Sequence, residues 1–445
     1  ATHRSMIAPA RFCAIDFGTS NSAVAVPSDD GTMRLVELEP GQRTMPTAVF
    51  YFAEGRHDAD GPPRAFGRAA VAAYVEGHDG RLMRSMKSIL GSALIDQTTD
   101  VGGGRGAKYS DIVAGYLKRL RRLAGEPTRV VLGRPVFFVD GEPARDAAAQ
   151  AQLEACARAV GFNDVQFQYE PIAAAFDFEQ QAIREGRGEQ IVLVADIGGG
   201  TSDFSIVRVG PERARRLARR DDILASHGIH IAGTDFDRHI ELAGLLQAFG
   251  YRGTGPSGRE LPSGLYFDLA TWHLINTCYA PQRVAEWRGM KSWFSDVRQH
   301  ARLMTVLEER LGHELAARAE GAKIAISGGA DTTVDLSHVE PGLVLPLSEK
   351  TAVDALRADL DRIIATAHET VALAGLRPAQ IDALYFTGGS TGLRLLVDGM
   401  AAGFPQAARV SGDRFASVAT GLGLHARRLF EASAASTHPP ASTPH

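Results

Sequence analysis

Short apolar runs alternate along the chain with longer stretches in which apolar residues recur every three or four positions. The short runs are rich in β-branched and aromatic residues and predict strands at 12–15, 130–132, 191–195, 204–209 and 383–386. The longer stretches predict helices over 143–160 and 351–374, the second of which is stopped by Gly375. Strands that alternate with helices in this way predict a layered α/β architecture.

Two distant segments follow the same plan. CAIDFGTSNSAVAV (13–26) and VADIGGGTSDFSIV (194–207) each run from an apolar strand through a Gly/Thr/Ser turn into a second apolar strand. Asp16 and Asp196 begin the two turns. The N–H groups and hydroxyls of such a tip suit a phosphate, and the adjacent aspartate suits Mg²⁺ held through water. The repeat therefore predicts a duplicated fold with a polyphosphate site in the cleft between its halves.

A third glycine turn, FTGGSTGL (386–393), lies between a predicted strand and a predicted helix. It also fits G-x-S-x-G, the nucleophile elbow of α/β-hydrolases, and Ser390, Asp413 and His425 follow in the order of that catalytic triad. An esterase is therefore an alternative. Against it, the chain has no HGGG-type oxyanion segment upstream, and an esterase leaves both aspartate hairpins unexplained. The three glycine turns together favour phosphate binding.

The composition narrows the class of protein. The 445 residues hold 48 Lys+Arg and 52 Asp+Glu, and a net charge of −4 excludes a general electrostatic binder of nucleic acid. At ~150 residues per domain, the length corresponds to about three domain equivalents. Every apolar run falls short of the ~20 residues that a membrane span needs, so no span is predicted. Three cysteines without a CxxC pair favour a reducing compartment, and we expect a cytoplasmic protein.

Four segments are interpreted without reference to the nucleotide. Residues 1–10 and 431–445 are rich in small and polar residues and are predicted to be disordered tails. The arginine-rich run RARRLARR (213–220) predicts a solvated turn, with a docking patch as the alternative. The aromatic residues of 265–294 are interpreted as packing within an inserted part of the fold, with a partner surface as the alternative.

A series of motifs extends the pattern along the chain. They are AIDFGTSNS (14–22), RLMRSMKSILG (81–91), VVLGRPVFF (130–138), QYEPIAAAF (168–176), VADIGGGTSDFSIV (194–207), HIAGTDFDRHI (230–240), AEGAKIAIS (319–327), YFTGGSTGL (385–393) and SGDRFASVATGLGLHA (411–426). In this order they resemble the ATPase domain of heat shock protein 70 (DnaK-type) chaperones, over roughly residues 11–430. The resemblance implies the α/β, bilobal actin-like ATPase fold, a duplicated ribonuclease-H-like fold with a central nucleotide cleft. It places lobe I at 11–188, with an insertion at about 45–127, and lobe II at 189–430, with an insertion at about 233–350.

The resemblance also implies a ligand and a set of roles. The ligand is ATP or ADP with Mg²⁺, and K⁺ is an additional candidate ion. The residues implied at the phosphates are Gly18, Thr19, Ser20, Asn21, Gly198, Gly199, Gly200 and Thr201. Those implied at the nucleoside are Gly233, Glu320, Lys323, Ser327, Gly388, Gly389, Ser390 and Asp413. The metal is held by Asp16, Glu170, Asp196 and Asp203, and the catalytic groups are Lys87, Glu170, Asp196 and Thr201.

Two departures from the family pattern qualify the expected function. Ile324 and Gly392 occupy positions that are usually arginine in the family and lie against the adenine, so stacking area is lost. The sequence also shows neither the apolar linker nor the β-sandwich peptide-binding domain, and in this it resembles the short YegD-like form.

We therefore expect an ATP-binding, slowly hydrolysing, chaperone-like switch without its own peptide-binding domain. The alternatives are a non-hydrolysing nucleotide-sensing scaffold and a small-molecule kinase of the same fold. The expected partners are the nucleotide and an unidentified client or co-chaperone protein, with no nucleic acid and no membrane.

Overall fold

The computed structural model describes residues 11–55, 63–101, 104–412 and 417–436. The strands are β1 Phe12–Phe17, β2 Asn21–Pro27, β3 Met33–Leu35, β4 Thr44–Pro46, β5 Ala48–Phe52, β6 Arg64–Phe66, β7 Gly80–Arg84, β8 Thr98–Asp100, β9 Gly106–Lys108, β10 Arg129–Arg134, β11 Asp164–Tyr169, β12 Gln190–Ile197, β13 Ser202–Val209, β14 Ile223–Ile229, β15 Thr332–Asp335, β16 Val344–Leu347, β17 Ala383–Thr387 and β18 Ala408–Ser411. The α-helices are α1 Gly67–Val75, α2 Tyr109–Leu123, α3 Pro143–Ala159, α4 Glu170–Ala174, α5 Phe176–Arg184, α6 Pro211–Ala214, α7 Gly233–Ile240, α8 Gly264–Leu269, α9 Pro281–Gly289, α10 Val297–Glu308, α11 Gly312–Ile326, α12 Glu349–Leu373, α13 Arg394–Gly403 and α14 Ser417–Ser436.

The two principal sheets have the same topology. The first runs β11-β10-β1-β2-β3, with β4 also paired to β2, and the second runs β18-β17-β12-β13-β14. In each, an antiparallel hairpin has two parallel strands on one side and an antiparallel strand on the other. Asp16 pairs with Ala23 in the first hairpin, and Asp196 pairs with Asp203 in the second. The two similar sequence segments therefore occupy equivalent places in a repeated architecture.

The predicted elements are present, with one correction at the C-terminal end. The five predicted strands correspond to β1, β10, β12, β13 and β17, and the two predicted helices to α3 and α12. The prediction of a disordered tail from residue 431 is wrong at its start, because α14 continues to Ser436. Ala and Glu in this stretch favour helix, and extending an existing helix needs no new nucleation. Residues 1–10 and 437–445 lie outside the described part of the chain.

Three of the four apolar clusters in the described part of the chain pack around the two principal sheets. One packs the first sheet against α2 and α3 and includes Ile15, and a second packs the second sheet against α7, α11 and α12 and includes Phe204. The third contains Ala14 of β1 and Val194 of β12 together with residues of α4, α5 and α14, so the two sheets share a core. Fully burying one large apolar side chain stabilises the fold by about 1.5–3 kcal/mol. In the described part of the chain, none of the helices is long and apolar enough to cross a bilayer.

The arginine run 213–220 is only partly the solvated turn that the sequence predicts. Arg219 is buried and forms two hydrogen bonds with Glu179 of α5, with Nη2 2.9 Å from Oε1 and Nη1 3.1 Å from Oε2. Arg219 also pairs with the buried Asp222, whose other oxygen lies 3.0 Å from Arg213 Nη1. The arginines that remain exposed are Arg215, Arg216 and Arg220. One local pattern therefore contains both core and surface charges.

The aromatic residues of 265–294 mainly pack inside the protein. Tyr266 is fully buried, and its hydroxyl donates to the Phe249 carbonyl at 3.0 Å. The Trp287 ring meets the Tyr266 ring edge-on at 5.7 Å between centroids. Phe267 and Trp293 are exposed. The interpretation of this segment as internal packing is therefore confirmed for Tyr266 and Trp287.

Candidate functional site

The tip of the first hairpin, residues 18–20 between β1 and β2, is held by a neighbouring segment. The Thr47 hydroxyl donates to the Gly18 carbonyl (2.8 Å), and the Thr47 N–H donates to the Ser20 carbonyl (2.9 Å). A side chain at Gly18 would collide with the Asn21 carbonyl, so the turn requires glycine there. These bonds use carbonyl groups of the tip and leave its N–H groups and hydroxyls for another partner.

The tip of the second hairpin, residues 198–201, is anchored by two other predicted segments. The Gly198 N–H donates to the Thr201 carbonyl (3.0 Å) and closes the turn. The Gly198 carbonyl accepts from the Gly233 N–H (3.2 Å), at the start of α7, and from the Ser390 hydroxyl (2.7 Å). Segments that are far apart in the sequence therefore meet at one carbonyl group.

The two tips face each other, and the third glycine turn lies beside them. A methyl group built at Gly199 would lie 3.0 Å from the Ser20 hydroxyl oxygen. Gly388 has φ +87°, and a side chain there would lie 2.7 Å from a carboxylate oxygen of Asp196. The same side chain would collide with the Ile197 carbonyl, so glycine is required both by conformation and by space.

A lysine lies among the acids at the base of the tips. Lys87 Nζ donates to Glu170 Oε1 at 2.6 Å, and the two side chains are only 10% and 15% exposed. Burial and the neighbouring Glu170 and Asp196 raise the pKa of Asp16 to about 8. Burial, Asp203 and Glu170 raise the pKa of Asp196 to about 7. Burial alone lowers the pKa of Lys87, but Glu170 and Asp16 outweigh it and raise that pKa above its ordinary value.

The donor set fits a cation that keeps its water. Within residues that the structure describes, no group of three His, Cys, Asp or Glu side chains could hold a metal ion directly. The pKa values of Asp16 and Asp196 are nevertheless raised despite Lys87, so this lysine alone does not balance the negative charge that the two carboxylates carry when ionised. A hydrated divalent cation between them would neutralise this charge, and Mg²⁺ usually retains several waters. The carboxylates therefore fit Mg²⁺ held through water rather than in a direct protein cage.

The predicted nucleoside residues of α11 share one face of that helix. Glu320, Lys323 and Ser327 are spaced three and four residues apart, which places them in a row. Lys323 Nζ lies 2.6 Å from Asp237 Oδ1 of α7, the helix whose first residue contacts the second tip. Burial raises the pKa of Asp237 to about 6, with Lys323 opposing the shift and Glu320 adding to it. Ile324, on the same side, is 62% exposed.

Most of the other residues that the sequence predicts for the site lie at or beside the same three turns. Thr19, Asn21, Gly200 and Gly389 complete or flank the three glycine tips. The Thr201 hydroxyl donates to Asp203 Oδ2 at 2.8 Å. Asp413 lies outside the described residues. Apart from Asp413, the predicted phosphate, nucleoside, metal and catalytic residues lie on the two hairpins, on the third glycine turn, on or beside the α7–α11 pair and around Lys87.

Three polar residues at this site are absent from the sequence-based set. Thr47 supports the first tip, and Asp237 pairs with Lys323. Thr234 donates to the Gly199 carbonyl through both its N–H and its hydroxyl, each at 2.8 Å. Thr234 and Asp237 belong to the motif HIAGTDFDRHI and could have been chosen with Gly233. Thr47 has no local signal, because its partner lies 29 residues away.

The described residues do not support the esterase alternative. The Ser390 hydroxyl donates to the Gly198 carbonyl. The ring of His425 is hydrogen-bonded to Gln168, with Nδ1 3.1 Å from the amide nitrogen. Ser390 and His425 are thus each committed to another partner, and G-x-S-x-G here is a structural turn. Sequence order alone could not separate the two, because a triad is defined by mutual geometry.

His425 predicts a dependence of stability on pH. Burial, together with Arg428 and Arg219, lowers its pKa from 6.5 to about 4. As pH falls, the unfolded chain takes up a proton at this histidine at a higher pH than the folded chain does. The contribution of His425 to the free energy of unfolding is therefore fully present above pH 6.5 and is lost as pH falls towards about 4. We expect this histidine to account for about 3 kcal/mol of the loss. Urea denaturation across this interval should show a smaller loss for His425→Gln and an unchanged loss for exposed His338→Gln. Equal pH dependence in His425→Gln and the parent would contradict the assignment.

An aromatic contact joins the two halves of the chain away from the hairpins. The ring of Trp272 stacks on Tyr74 of α1 with 5.1 Å between centroids. Arg84 is the last residue of β7, and its guanidinium group lies 4.3 Å from the centroid of the Trp272 ring. His313 meets both rings edge-on, and burial lowers its pKa to about 4, so it is neutral at pH 7. We call Tyr74, Arg84, Trp272 and His313 the aromatic clasp.

The fold and the site together define a class of protein. It is an α/β protein with two sheets of the same topology, in which two Gly/Thr/Ser hairpin tips face each other beside a cluster of lysine and carboxylate side chains. This arrangement is suited to binding a polyphosphate. No family model matches the chain. Curated proteins do match it. The chaperone protein DnaK of Thermosipho melanesiensis is 30% identical over 233 residues, which cover 51% of this chain and 34% of that protein.

Other relatives agree. The chaperone protein DnaK of Thermosipho africanus is 29% identical over 51% of this chain and 34% of its own length. The chaperone protein HscA homolog of Aromatoleum aromaticum is 29% identical over 51% of this chain and 36% of its own length. The matched part thus spans about a third of the length of these relatives. About half of this chain is homologous to DnaK- and HscA-type chaperones, which confirms the resemblance to the heat shock protein 70 family.

Proposed function

We propose that this protein binds ATP between its two hairpin tips and hydrolyses it slowly, as a nucleotide-dependent switch of the chaperone type. The proposal includes the bilobal actin-like arrangement, with the nucleotide in the cleft between the halves. The observation that carries it is the convergence of the two tips with Lys87 and Glu170. The homology to DnaK and HscA chaperones supports the same conclusion. Three buried, free cysteines fit a reducing compartment such as the cytoplasm.

The residues around the tips would act mainly by position and charge. Phosphoryl transfer needs little covalent help from the protein, because most of the catalysis comes from alignment and charge stabilisation. The N–H groups and hydroxyls of both tips would bind the phosphate oxygens. Lys87 would place its charge beside the terminal phosphate, and Glu170, which holds Lys87, would accept a hydrogen bond from the attacking water.

Mg²⁺ would be held by Asp16, Asp196, Glu170 and Asp203 through water, and when bound it supplies charge neutralisation at the phosphates. The α11 row would face the nucleoside. Ile324 offers an apolar surface there but no guanidinium plane, so we expect weaker discrimination between purine bases than in family members that carry arginine.

Calorimetric titration with ATP and ADP in the presence of Mg²⁺, combined with single-turnover phosphate release, tests the proposal. Binding with slow turnover supports the switch. Binding without turnover identifies a nucleotide-sensing scaffold instead, and absence of binding to either nucleotide overturns the proposal.

A pair of glycine variants makes the titration specific to the tips. Gly199→Val fills the space in front of Ser20 and should abolish binding. The control is Gly188→Val, at an exposed glycine where an added side chain meets open space. Equal loss in both variants would mean that the tips are not the binding site.

The aromatic clasp predicts a slower release of nucleotide than the cleft alone would give. Trp272→Ala removes a ring stack and a cation–π contact between the two halves, each worth about 0.5–1.5 kcal/mol. We therefore expect bound nucleotide to dissociate about tenfold faster in a stopped-flow chase with a fluorescent ATP analogue. Trp293→Ala, an exposed tryptophan of the same inserted part, is the control. An unchanged rate in Trp272→Ala would show that the clasp does not restrain opening.

A further inference from the structure

A groove separate from the nucleotide site runs between α5, α6, β18 and α14. It encloses about 780 Å³ and contains none of the predicted phosphate, nucleoside, metal or catalytic residues. Its apolar surface comes from Phe176, Tyr385, Val410 and Leu424. The proposed ATP switch assigns no role to this groove.

The rim of the groove carries an excess of positive charge. Four arginines line it, at positions 184, 215, 427 and 428, against one acid, Asp177. This imbalance occurs in a chain with a net charge of −4. A single carboxylate cannot balance four guanidinium charges. Burial raises the pKa of Asp177, and Arg184 opposes the shift. The groove is therefore a local cationic surface on an acidic protein.

These arginines differ from the two paired ones of the run 213–220. Arg219 is buried and pairs with Glu179 and Asp222, and the half-buried Arg213 pairs with Glu189 and Asp222. Arg215 is 76% exposed, and its only described ion pair is with Glu212, which is equally exposed. Pairs of this kind contribute about 0–1 kcal/mol and exchange readily with water or another carboxylate. The docking patch that the sequence analysis gives as an alternative for residues 213–220 would therefore consist only of the exposed arginines.

Two further rim arginines have their charges available. In the described part of the chain, the side chains of Arg184 and Arg428 form no hydrogen bond or ion pair. Arg427 donates to the carbonyl of Gly31, a contact that orients the guanidinium without neutralising it. Arginine presents a planar fork of donors that matches a carboxylate in two bonds, so such a rim suits carboxylates.

One wall of the groove is the edge of a sheet. Among the described strands, β18 pairs with β17 alone. Val410 and Ser411 of β18 line the groove together with Gly412. A strand that is paired on one side presents unpaired N–H and C=O groups on the other, and an extended peptide can add there as a further strand.

We propose that the groove binds an extended acidic segment of a partner protein, which adds to the edge of β18 and places its carboxylates against Arg184, Arg215 and Arg428. Alternate side chains of an added strand point to opposite sides, so apolar residues would face Phe176 and Leu424 while acidic ones face the rim. The terminal residues of this chain do not match this chemistry, because 1–10 and 437–445 contain no Asp or Glu.

Fluorescence anisotropy with a labelled peptide tests the proposal. The probe is a short peptide in which glutamate alternates with valine, titrated with the full chain at low salt. We expect binding that is about tenfold weaker for the double variant Arg184→Glu/Arg215→Glu, which corresponds to about 1.4 kcal/mol for the two reversed contacts together. Arg298→Glu is the matched control, because Arg298 is 72% exposed and pairs with nearby Asp296 as Arg215 pairs with Glu212. Equal weakening by Arg298→Glu, or none by the double variant, overturns the proposal.

Two further probes separate this mode of binding from others. The same peptide N-methylated at alternate residues cannot complete the strand ladder and should bind markedly less, whereas equal binding refutes addition to β18. A single-stranded oligonucleotide that binds as well as the peptide would show an unselective polyanion surface and overturn the peptide assignment. ATP titration of the double variant should match that of the parent, so failure here is distinguishable from failure of the proposed nucleotide function.

Discussion

Replacing Lys87 by alanine is expected to lower the single-turnover rate of phosphate release from Mg-ATP by about a hundredfold or more. The ammonium group lies 2.6 Å from Glu170, in a setting where both side chains are largely buried. A compact charge at such a position is worth more than in water, because the surrounding protein screens it poorly. ATP affinity should fall much less than the rate, because both hairpin tips remain intact.

Controls distinguish a catalytic loss from a structural one. Lys350→Ala removes an exposed lysine paired with Asp354 on the surface of α12 and should hydrolyse ATP at the parent rate. Calorimetric binding of ADP to Lys87→Ala should remain, which shows that the site is still folded. Parent-like turnover in Lys87→Ala would refute the catalytic assignment of Lys87. Loss of ADP binding would assign it a structural role instead.

Replacing Arg219 by methionine is expected to lower the free energy of unfolding by about 3–5 kcal/mol. Arg219 is buried and bonds to both carboxylate oxygens of Glu179, so its removal leaves that acid without a counter-charge in the interior. Glu179 keeps one other described partner, the N–H of Gly210 at 3.0 Å. A single neutral donor does not offset the cost of burying a charge. Urea denaturation measures the effect.

The same arginine run supplies the control for Arg219. Arg215→Met removes an exposed arginine and should change the free energy of unfolding by less than about 1 kcal/mol. Adding Glu179→Gln to Arg219→Met removes the unpaired charge but keeps the acceptor for Gly210, so part of the stability should return. If Arg215→Met and Arg219→Met lose equal stability, the buried pair is not an important contributor.

The hairpins and their glycines were predictable because their determinants are local. An apolar strand that ends in aspartate and then a glycine turn folds back on itself within a single segment, as β1–β2 and β12–β13 do. The register that pairs Asp196 with Asp203 follows from that turn. The similarity of the two segments also anticipated the equal topology of the sheets. The long amphipathic helix α12 was predictable for the same reason, since its periodic pattern is strong and continuous.

The convergence of the site had a different origin. Lys87 and Glu170 are 83 residues apart, and no sequence period or spacing connects them. Only the resemblance to known chaperones predicted that they belong to one site. The structure brings their side chains together. Neither a local pattern nor the resemblance to chaperones pointed to Thr47, so the sequence analysis does not include it in the site. The triad order of Ser390 and His425 was misleading for the converse reason, because sequence order does not determine whether side chains meet.

The alternating elements, the two aspartate hairpins and the glycines of the tips follow from the amino-acid sequence alone, since each depends on the backbone of a few consecutive residues. Tertiary packing decides that Arg219 is interior and Arg215 is surface, and that Trp272 meets Tyr74 across the two halves. These outcomes depend on which distant surfaces pack together. Packing is selected by the burial of the whole core, so no local pattern encodes it.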